Sequence, residues 1–205
     1  MAKIKLTKNE LKKQKDSLKM FQRYLPTLML KKQQLQAEIR TTEQRIRELS
    51  DEKNRIDEGF KVWIAVFGET GVFTNETLKI VSVRTTQGNI AGVAIPIFQG
   101  ADFETVPYDL LSTPLWLDIA VERMKQVLLL DLEAQTLEEQ RKRLDHELRV
   151  TTQRVNLFEK IKIPETKVNI KTIQVYLGDQ QTSAVVRGKI AKRGLARAAS
   201  TGGVS

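Results

Sequence analysis

The sequence contains no cysteine and only one histidine, and aromatic residues make up 6% of its 205 residues. Without cysteine, the chain can form no disulfide, no thiolate metal site and no cysteine nucleophile. Glycine and proline are also scarce, at 11 and 5 residues, whereas charged residues reach 29%. This composition is typical of long helices with solvated flanks, because a compact globule buries more bulky apolar side chains.

Long apolar runs are absent as well. No stretch approaches the ~20 consecutive apolar residues that cross a bilayer. No basic-then-apolar leader precedes a small-residue cleavage site. We therefore expect a soluble, intracellular protein without direct membrane insertion.

The formal net charge of +9 is concentrated at the two ends of the sequence. Residues 1–32 contain ten Lys or Arg against two acidic residues, and residues 187–205 contain five with no acidic residue. Residues 64–116 contain two Lys or Arg against five acidic residues. If the chain doubles back on itself, its basic ends come together.

The first helix has a clear start and a long heptad repeat. Thr7 is an expected N-cap with Glu10 three residues later, so each side chain can satisfy the other's free backbone N–H. From Leu11 to residue 63 the heptad has no phase shift, and twelve of its sixteen a and d positions are apolar. At ~1.5 Å per residue this predicts a coiled-coil helix of roughly 80 Å, with a kink or local loosening at Pro26. The predicted seam residues are Leu11, Leu18, Phe21, Leu25, Leu28, Leu35, Ile39, Ile46, Leu49 and Ile56, followed by Phe60 and Trp63.

A second helix is predicted to start at Thr113-Pro114, because proline at the first helical position loses no hydrogen bond. Its heptad is clearest from Leu130, with seven of ten a and d positions apolar. Pro164 interrupts the register, helical spacing resumes from Val168 to Leu177, and Gly178-Asp179 predicts a stop or break. The last eight residues are expected to fray. The predicted seam residues are Leu130, Leu137, Leu144, Leu148, Val155 and Phe158.

A β-hairpin is predicted between the helices. Residues 78–85 and 90–97 are rich in β-branched side chains, and Gln87-Gly88-Asn89 between them is typical of a turn. Pro96 and Pro107 are expected to close this segment. One hairpin alone is marginal in water, so its apolar face must pack on the helices or on another protein. The candidate partner-binding residues are Ile80, Val81, Val83, Ile90, Val93 and Ile95.

The predicted fold class is mainly α, a long antiparallel two-helix coiled coil with a small central β-hairpin region. The expected divisions are residues 1–63 for the first helix, 64–113 for the hairpin region and 114–205 for the second helix with a basic tail, within one elongated domain. Pairing residues 60–63 with 115–120 leaves the segment from Val168 onward overhanging the N-terminus.

No residue pattern indicates catalysis, a cofactor or a metal site. His146 falls at an f position of the second heptad and is expected to be a surface histidine. Gly68-Glu69-Thr70-Gly71 superficially suggests a phosphate loop. However, no Gly-Lys-Ser/Thr follows, and a turn at the end of the first helix is the better interpretation.

The basic ends leave an alternative open. Clustered Lys and Arg can bind nucleic acid through phosphates, which would make the chain a nucleic-acid-associated protein or a coiled-coil adaptor. The aromatic residues at a and d positions are expected in the core rather than against bases, which favours a solvated basic face. A third interpretation is that the charge faces an acidic protein cavity.

Two sequence motifs point to a known family. Thr7-Lys8-Asn9-Glu10-Leu11 opens a basic helix, and residues 154–164 read Arg-Val-Asn-Leu-Phe-Glu-Lys-Ile-Lys-Ile-Pro. With the long heptad and central hairpin between them, this order resembles the D subunits of the V-type and archaeal-type (V/A) rotary ATPases. The Arg-Val-Asn-x-x-Glu-Lys-x-x-Ile-Pro run is the most specific element, and the resemblance covers roughly residues 5–177.

The resemblance implies a non-catalytic central rotor shaft. Such a shaft transmits torque between ATP hydrolysis or synthesis in a hexamer of A and B subunits and ion translocation in a membrane ring. It implies that residues 5–45 and 145–195 lie in the bore of the hexamer. Residues 60–115 would form a foot that binds the F subunit and the C- or d-type adaptor subunit of the ring. It also implies a peripheral position on the cytoplasmic face of the membrane.

Overall fold

The computed structural model describes residues 4–61, 78–105 and 116–201. The expected helix start at Thr113-Pro114, the turn at residues 68–71, the seam position Trp63 and the linker residue Pro107 lie outside these ranges. The chain divides into two compact units. The terminal unit comprises residues 1–29 and 153–205, and the central unit comprises residues 30–152.

The described elements are mostly helical, and the predicted fold class is confirmed. Helix α1 spans Lys8–Lys61, helix α2 spans Trp116–Asn156, a π-helical turn spans Leu157–Lys162, and helix α3 spans Ile163–Thr201. Strands β1, Leu78–Ile90, and β2, Val93–Thr105, form one antiparallel hairpin. None of the described helices has an apolar stretch long enough to cross a membrane.

The first helix begins as its N-cap predicts. The backbone N–H of Glu10 donates to Thr7 Oγ1 at 3.3 Å, and the N–H of Leu11 donates to the Thr7 carbonyl at 3.0 Å. The prediction for the reciprocal half of the capping box is wrong. The Glu10 carboxylate instead accepts a hydrogen bond from Gln14 Nε2 at 2.8 Å, because a partner one helical turn along is within easy reach. The helix continues without a break through Pro26.

In the central unit, α1 and α2 run antiparallel. Four ion pairs link them: Lys31 with Glu147 at 2.7 Å, Glu43 with Arg141 at 4.0 Å, Arg45 with Glu133 at 3.0 Å, and Lys53 with Asp131 at 2.7 Å. As the residue number rises along α1, the number of its partner falls along α2. This order is the signature of two neighbouring helices of opposite direction.

The hairpin exists as predicted, but its turn lies elsewhere. Residues 87–89 belong to β1, and the turn consists of Ala91 and Gly92, with φ of 51° and 81°. Positive φ at both central residues matches the right-handed twist of the strands, as in type I′ turns. Asn89 stabilises the turn, because its Oδ1 accepts the Gly92 N–H at 2.9 Å. The expectation that Pro96 closes the segment is also wrong, since β2 continues to Thr105.

The helix after Asn156 passes Pro164 through the π-helical turn. The N–H of Ile163 donates to the carbonyl of Phe158, five residues back rather than four. The predicted interruption at Pro164 is therefore a local widening within continuous helical structure. The predicted break at Gly178-Asp179 is wrong, because α3 continues to Thr201. One glycine costs a helix only about 1 kcal/mol, which neighbouring good helix formers offset.

Candidate functional site: the helix seam and the attached hairpin

The core of the central unit joins both helices and the hairpin. Leu35 of α1 and Leu144 of α2 are each 0% exposed, and they form one cluster with Ile39 and Ile95. The partly buried hydrophobics packed against this cluster are Ile90, Ala91, Val93 and Leu148. The tip of the hairpin is therefore part of the core between the two helices.

Polar contacts from α2 also hold the hairpin in place. The buried Gln140 donates from Nε2 to the carbonyl oxygen of Pro96, and Arg143 donates from Nη1 to the carbonyl oxygen of Ala94 at 3.3 Å. Both acceptors belong to β2. The apolar cluster and these two hydrogen bonds fix the same half of the hairpin, the half that contains the turn.

The ion pairs between α1 and α2 raise the pKa of two of their basic members, Lys53 and Arg45. The hydrogen bond from Lys53 to Asp131 raises the pKa of Lys53 above its ordinary value, although partial burial opposes this rise. The hydrogen bond to Glu133 raises the pKa of Arg45 in the same way. Both pairs are partly solvated, so each contributes at most about 1 kcal/mol of stability. Their main effect is to set the register of the two helices.

The core of the terminal unit is smaller and includes an aromatic pair. The rings of Phe21 and Phe158 lie 5.1 Å apart between centroids, at an interplanar angle of 41°. Val155 and Ile173 are buried. The buried Thr166 donates from Oγ1 to the carbonyl of Lys162 at 2.6 Å, which satisfies its hydroxyl inside the helix.

The ten predicted seam residues from Leu11 to Ile56 and the six from Leu130 to Phe158 belong to the described part of the chain, and none of these sixteen is exposed. The buried ones are Leu35, Ile39, Leu49, Leu144 and Val155. The half-buried ones are Leu11, Leu18, Phe21, Leu25, Leu28, Ile46, Ile56, Leu130, Leu137, Leu148 and Phe158. Ile46, Leu49 and Leu130 line one crevice between the helices.

The six candidate partner-binding residues of the hairpin separate into two groups. Ile80, Val81 and Val83 are exposed on β1. Ile90, Val93 and Ile95 pack into the chain's own core instead. Only the first group presents its side chains to solvent and is available to another protein.

The basic end of α3 has no covering within the described chain. Every residue from 178 to 196 is exposed, including the apolar side chains of Val185, Ile190 and Leu195. Val168, the first of the apolar residues from which helical spacing was predicted to resume, is also exposed. It lies beyond the π-helical turn, where the buried face of the helix has rotated.

The described residues provide no metal site, because no group of three or more His, Asp or Glu side chains converges among them. His146 is exposed and lies beside Arg143 and Glu147, in a shallow depression next to the hairpin turn.

Sequence reasoning missed two kinds of residue. Gln140 and Arg143, which attach the hairpin, follow no periodic pattern, so no sequence signal identifies them. Ala120 and Val127 are buried, and they are a positions of the second heptad when it is continued backwards from Leu130. Continuing the heptad backwards would therefore have predicted that Ala120 and Val127 are buried.

Comparison with known proteins identifies the family. The family model described as the ATP synthase D subunit matches residues 10–193. The V-type ATP synthase D subunit of Borreliella burgdorferi is 52% identical over 195 residues, which cover 95% of this chain and 96% of that protein. The corresponding V-type ATP synthase D subunit of Chlamydia pneumoniae is 36% identical over 193 residues, covering 93% and 92%. The chain therefore belongs to the family of ATP synthase D subunits.

Proposed function

We propose that this chain is the non-catalytic central rotor shaft of a V/A-type ATPase. In this role it transmits torque between ATP hydrolysis or synthesis in a head of A and B subunits and ion translocation in a membrane ring. The observation that carries the proposal is the antiparallel pair of α1 and α2, locked by a buried core in a chain of the family of ATP synthase D subunits.

A shaft must resist twisting, and the central unit contains the elements that provide such resistance. Leu35 and Leu144 are both fully buried in one cluster at the seam, and close-packed interiors resist deformation. The ion pairs of Lys31 and Lys53 with α2 oppose sliding of one helix along the other. Rotation of one helix about its axis would expose the seam to water, which is unfavourable by about 25 cal/mol for each Å² of apolar surface.

The uncovered segment of α3 supports the proposed partners in the head. Residues 178–196 expose apolar side chains together with Arg187, Lys189, Lys192 and Arg193, and the described chain leaves them in solvent. A cavity formed by the A and B subunits would cover these apolar side chains. The basic side chains would help to position the segment without a rigid contact.

The centre of the chain is where we place the other partners. The exposed residues Ile80, Val81 and Val83 of β1 form a candidate surface for the F subunit or for the adaptor subunit of the membrane ring. In this arrangement the chain is held at the cytoplasmic face of the membrane through its complex.

A matched pair of variants tests the function. Leu35→Asp places a charge in the buried seam. Asn54→Asp places the same charge on the same helix at an exposed position outside the segments proposed for the bore and the foot. In complexes reconstituted with the A, B, F and membrane subunits, we expect Leu35→Asp to lower the number of ions pumped per ATP hydrolysed. Asn54→Asp should leave this ratio unchanged.

Two results would contradict the proposal. The first is a stoichiometry other than one copy of this chain per hexamer of A and B subunits. The second is full coupling of hydrolysis to pumping in complexes that lack the chain altogether.

A further inference from the structure

The two outer edges of the hairpin differ in the contacts that their backbone groups make with the rest of the chain. On β2, the outer edge contains Pro96, which has no N–H, and its carbonyl oxygen accepts a hydrogen bond from Gln140. The Ala94 carbonyl oxygen on the same edge accepts a hydrogen bond from Arg143. Pairing of a further strand with β2 is therefore blocked.

The strand register shows which groups of β1 point away from β2. Gln87 lies opposite Pro96, and Asn89 lies opposite Ala94. Because Pro96 cannot donate to Gln87 and its carbonyl bonds to α2, this pair does not exchange backbone hydrogen bonds. In antiparallel sheets such pairs alternate with bonded ones. The N–H and C=O groups of Gln87 and Asn89 therefore point to the outer edge of β1, and those of Thr85 do so by the same alternation.

This outer edge is open. Residues 79–87 are exposed without interruption. Among the described residues, no side chain donates to or accepts from the outward backbone groups of Thr85 and Gln87. The side chain of Asn89 bonds to Gly92 within the turn instead.

The open edge also lacks the charges that usually keep strands apart. Proteins protect free edges with lysine, proline, bulges or a covering element. Between residues 80 and 90 the only charged side chain is Arg84, and Asp102 on β2 neutralises it at 3.3 Å. Two bulges interrupt the pairing, one at Val81 of β1 and one at Gln99 of β2, opposite the step from Arg84 to Thr85. From Thr85 to Ile90 the pairing with β2 is regular.

We infer that the outer edge of β1, residues 84–89, is a site of strand addition. Its occupant is an extended segment of another protein in the complex, which hydrogen-bonds along the backbone of β1 and extends the sheet to three strands. The neutral, β-branched character of β1 fits a segment of uncharged, β-branched or apolar residues. The chain belongs to a family of subunits, so segments of other subunits are available to this edge. Pairing with a second copy of this chain is the alternative that sedimentation separates. The identity of the occupant as a member of the same complex rests on the proposed function.

A proline substitution tests the edge without disturbing the hairpin. Gln87→Pro removes an outward N–H that β2 does not use, and Gln87→Thr keeps that N–H as the matched control. The purified F subunit and the purified adaptor subunit of the ring serve as the two probes, each titrated against the full-length chain. We expect at least one probe to bind, and Gln87→Pro to weaken that binding by about tenfold or more relative to Gln87→Thr. Amide hydrogen exchange at Gln87 in the wild-type chain should slow at least about tenfold when that probe is bound.

Three results would overturn the inference. In the first, Gln87→Pro and Gln87→Thr bind both probes equally. In the second, exchange at Gln87 stays fast with either probe bound. In the third, sedimentation shows that Gln87→Pro abolishes only pairing between two copies of this chain. Failure of the proposed function is a separate result, because failure of the wild-type chain to join the A and B subunits does not involve residue 87.

Discussion

Leu144→Ala is the substitution that most directly tests the seam. Leu144 is 0% exposed and lies in one cluster with Leu35, Ile39 and Ile95, so α1, β2 and α2 all contribute to its surroundings. Truncation removes three carbon atoms and leaves a cavity that the neighbours can only partly fill. Buried Leu→Ala substitutions cost about 2–5 kcal/mol. We expect about 3 kcal/mol here, because two helices and a hairpin can relax more easily than a thick core.

The assay is urea unfolding of the full-length chain, followed by far-UV circular dichroism. With a slope of about 1–3 kcal/mol/M, a loss of about 3 kcal/mol lowers the unfolding midpoint by about 1 M or more. Leu30→Ala is the matched control, because it makes the same change on α1 at a position that is 64% exposed. We expect that variant to stay within about 0.5 kcal/mol of the wild-type chain.

Equal stability of these two variants would refute the assignment of Leu144 to the buried seam and of Leu30 to the exposed face. A loss below about 1 kcal/mol for Leu144→Ala would mean that its side chain is not enclosed by α1 and the hairpin. A large loss for Leu30→Ala would mean that the opposite face of α1 is the buried one, and the heptad register would then have to be reassigned.

Three further predictions concern the hairpin, the ion pairs and the basic helix. Gly92→Val should destabilise the hairpin by about 1–3 kcal/mol, because a β-branched residue is strained at a φ of 81°, and faster amide exchange along β2 would show it. Asp131→Asn should lower the free energy of unfolding by up to about 1 kcal/mol near neutral pH. The pKa of Lys53 is raised in the folded state, so the stabilisation by this pair is fully present just below about pH 10.5 and is lost as the pH rises through the raised pKa. The free energies of unfolding of the wild-type and Asp131→Asn chains should therefore converge at that pH. Gly178→Ala should stabilise α3 by up to about 1 kcal/mol, measured as slower local amide exchange, because nothing lies within 4 Å of the added methyl group.

The helices could be predicted because their signal is periodic and local. A heptad from Leu11 onward determines which face of α1 is buried, and each a and d position from Leu11 to Ile56 is indeed at least half-buried. Thr7 could be predicted as the N-cap because the bond that it accepts spans only three residues. The partner of Glu10 could not, since Gln14 and the Thr7 N–H compete for the same carboxylate at similar distance along the chain.

The predicted position of the hairpin turn is wrong because glycine has more than one structural use. The sequence pattern places the turn at Gly88, but this residue lies inside β1, where a Cβ would be 2.5 Å from Cδ1 of Ile97. It is glycine because a neighbouring side chain crosses it. Gly92 is glycine because its φ is positive. Only the three-dimensional pairing of the strands distinguishes these two reasons.

Attachment of the hairpin to α2 could not be predicted from periodicity. Gln140 is buried and Arg143 is exposed, yet both bond to carbonyl oxygens of β2 more than forty residues away. Their partners are backbone atoms, which every residue type offers equally. The sequence therefore predicts that the hairpin must pack on something, and the structure determines where.

The π-helical turn at residues 157–162 shows how one proline can move a buried face. A proline in a helix removes an N–H and crowds the carbonyl four residues earlier. Here the wide turn directly before Pro164 adds one residue to the helix, as π-turns do. Beyond Pro164, the heptad continued from Leu144 would bury residues 165, 169, 172 and 176. The structure leaves 165, 172 and 176 exposed, buries Thr166 and Ile173 and half-buries Leu177, each one residue later; residues 169 and 170 are both half-buried. The extra residue therefore keeps α3 packed in its unit after Pro164, and it explains why Val168 lies outside that face.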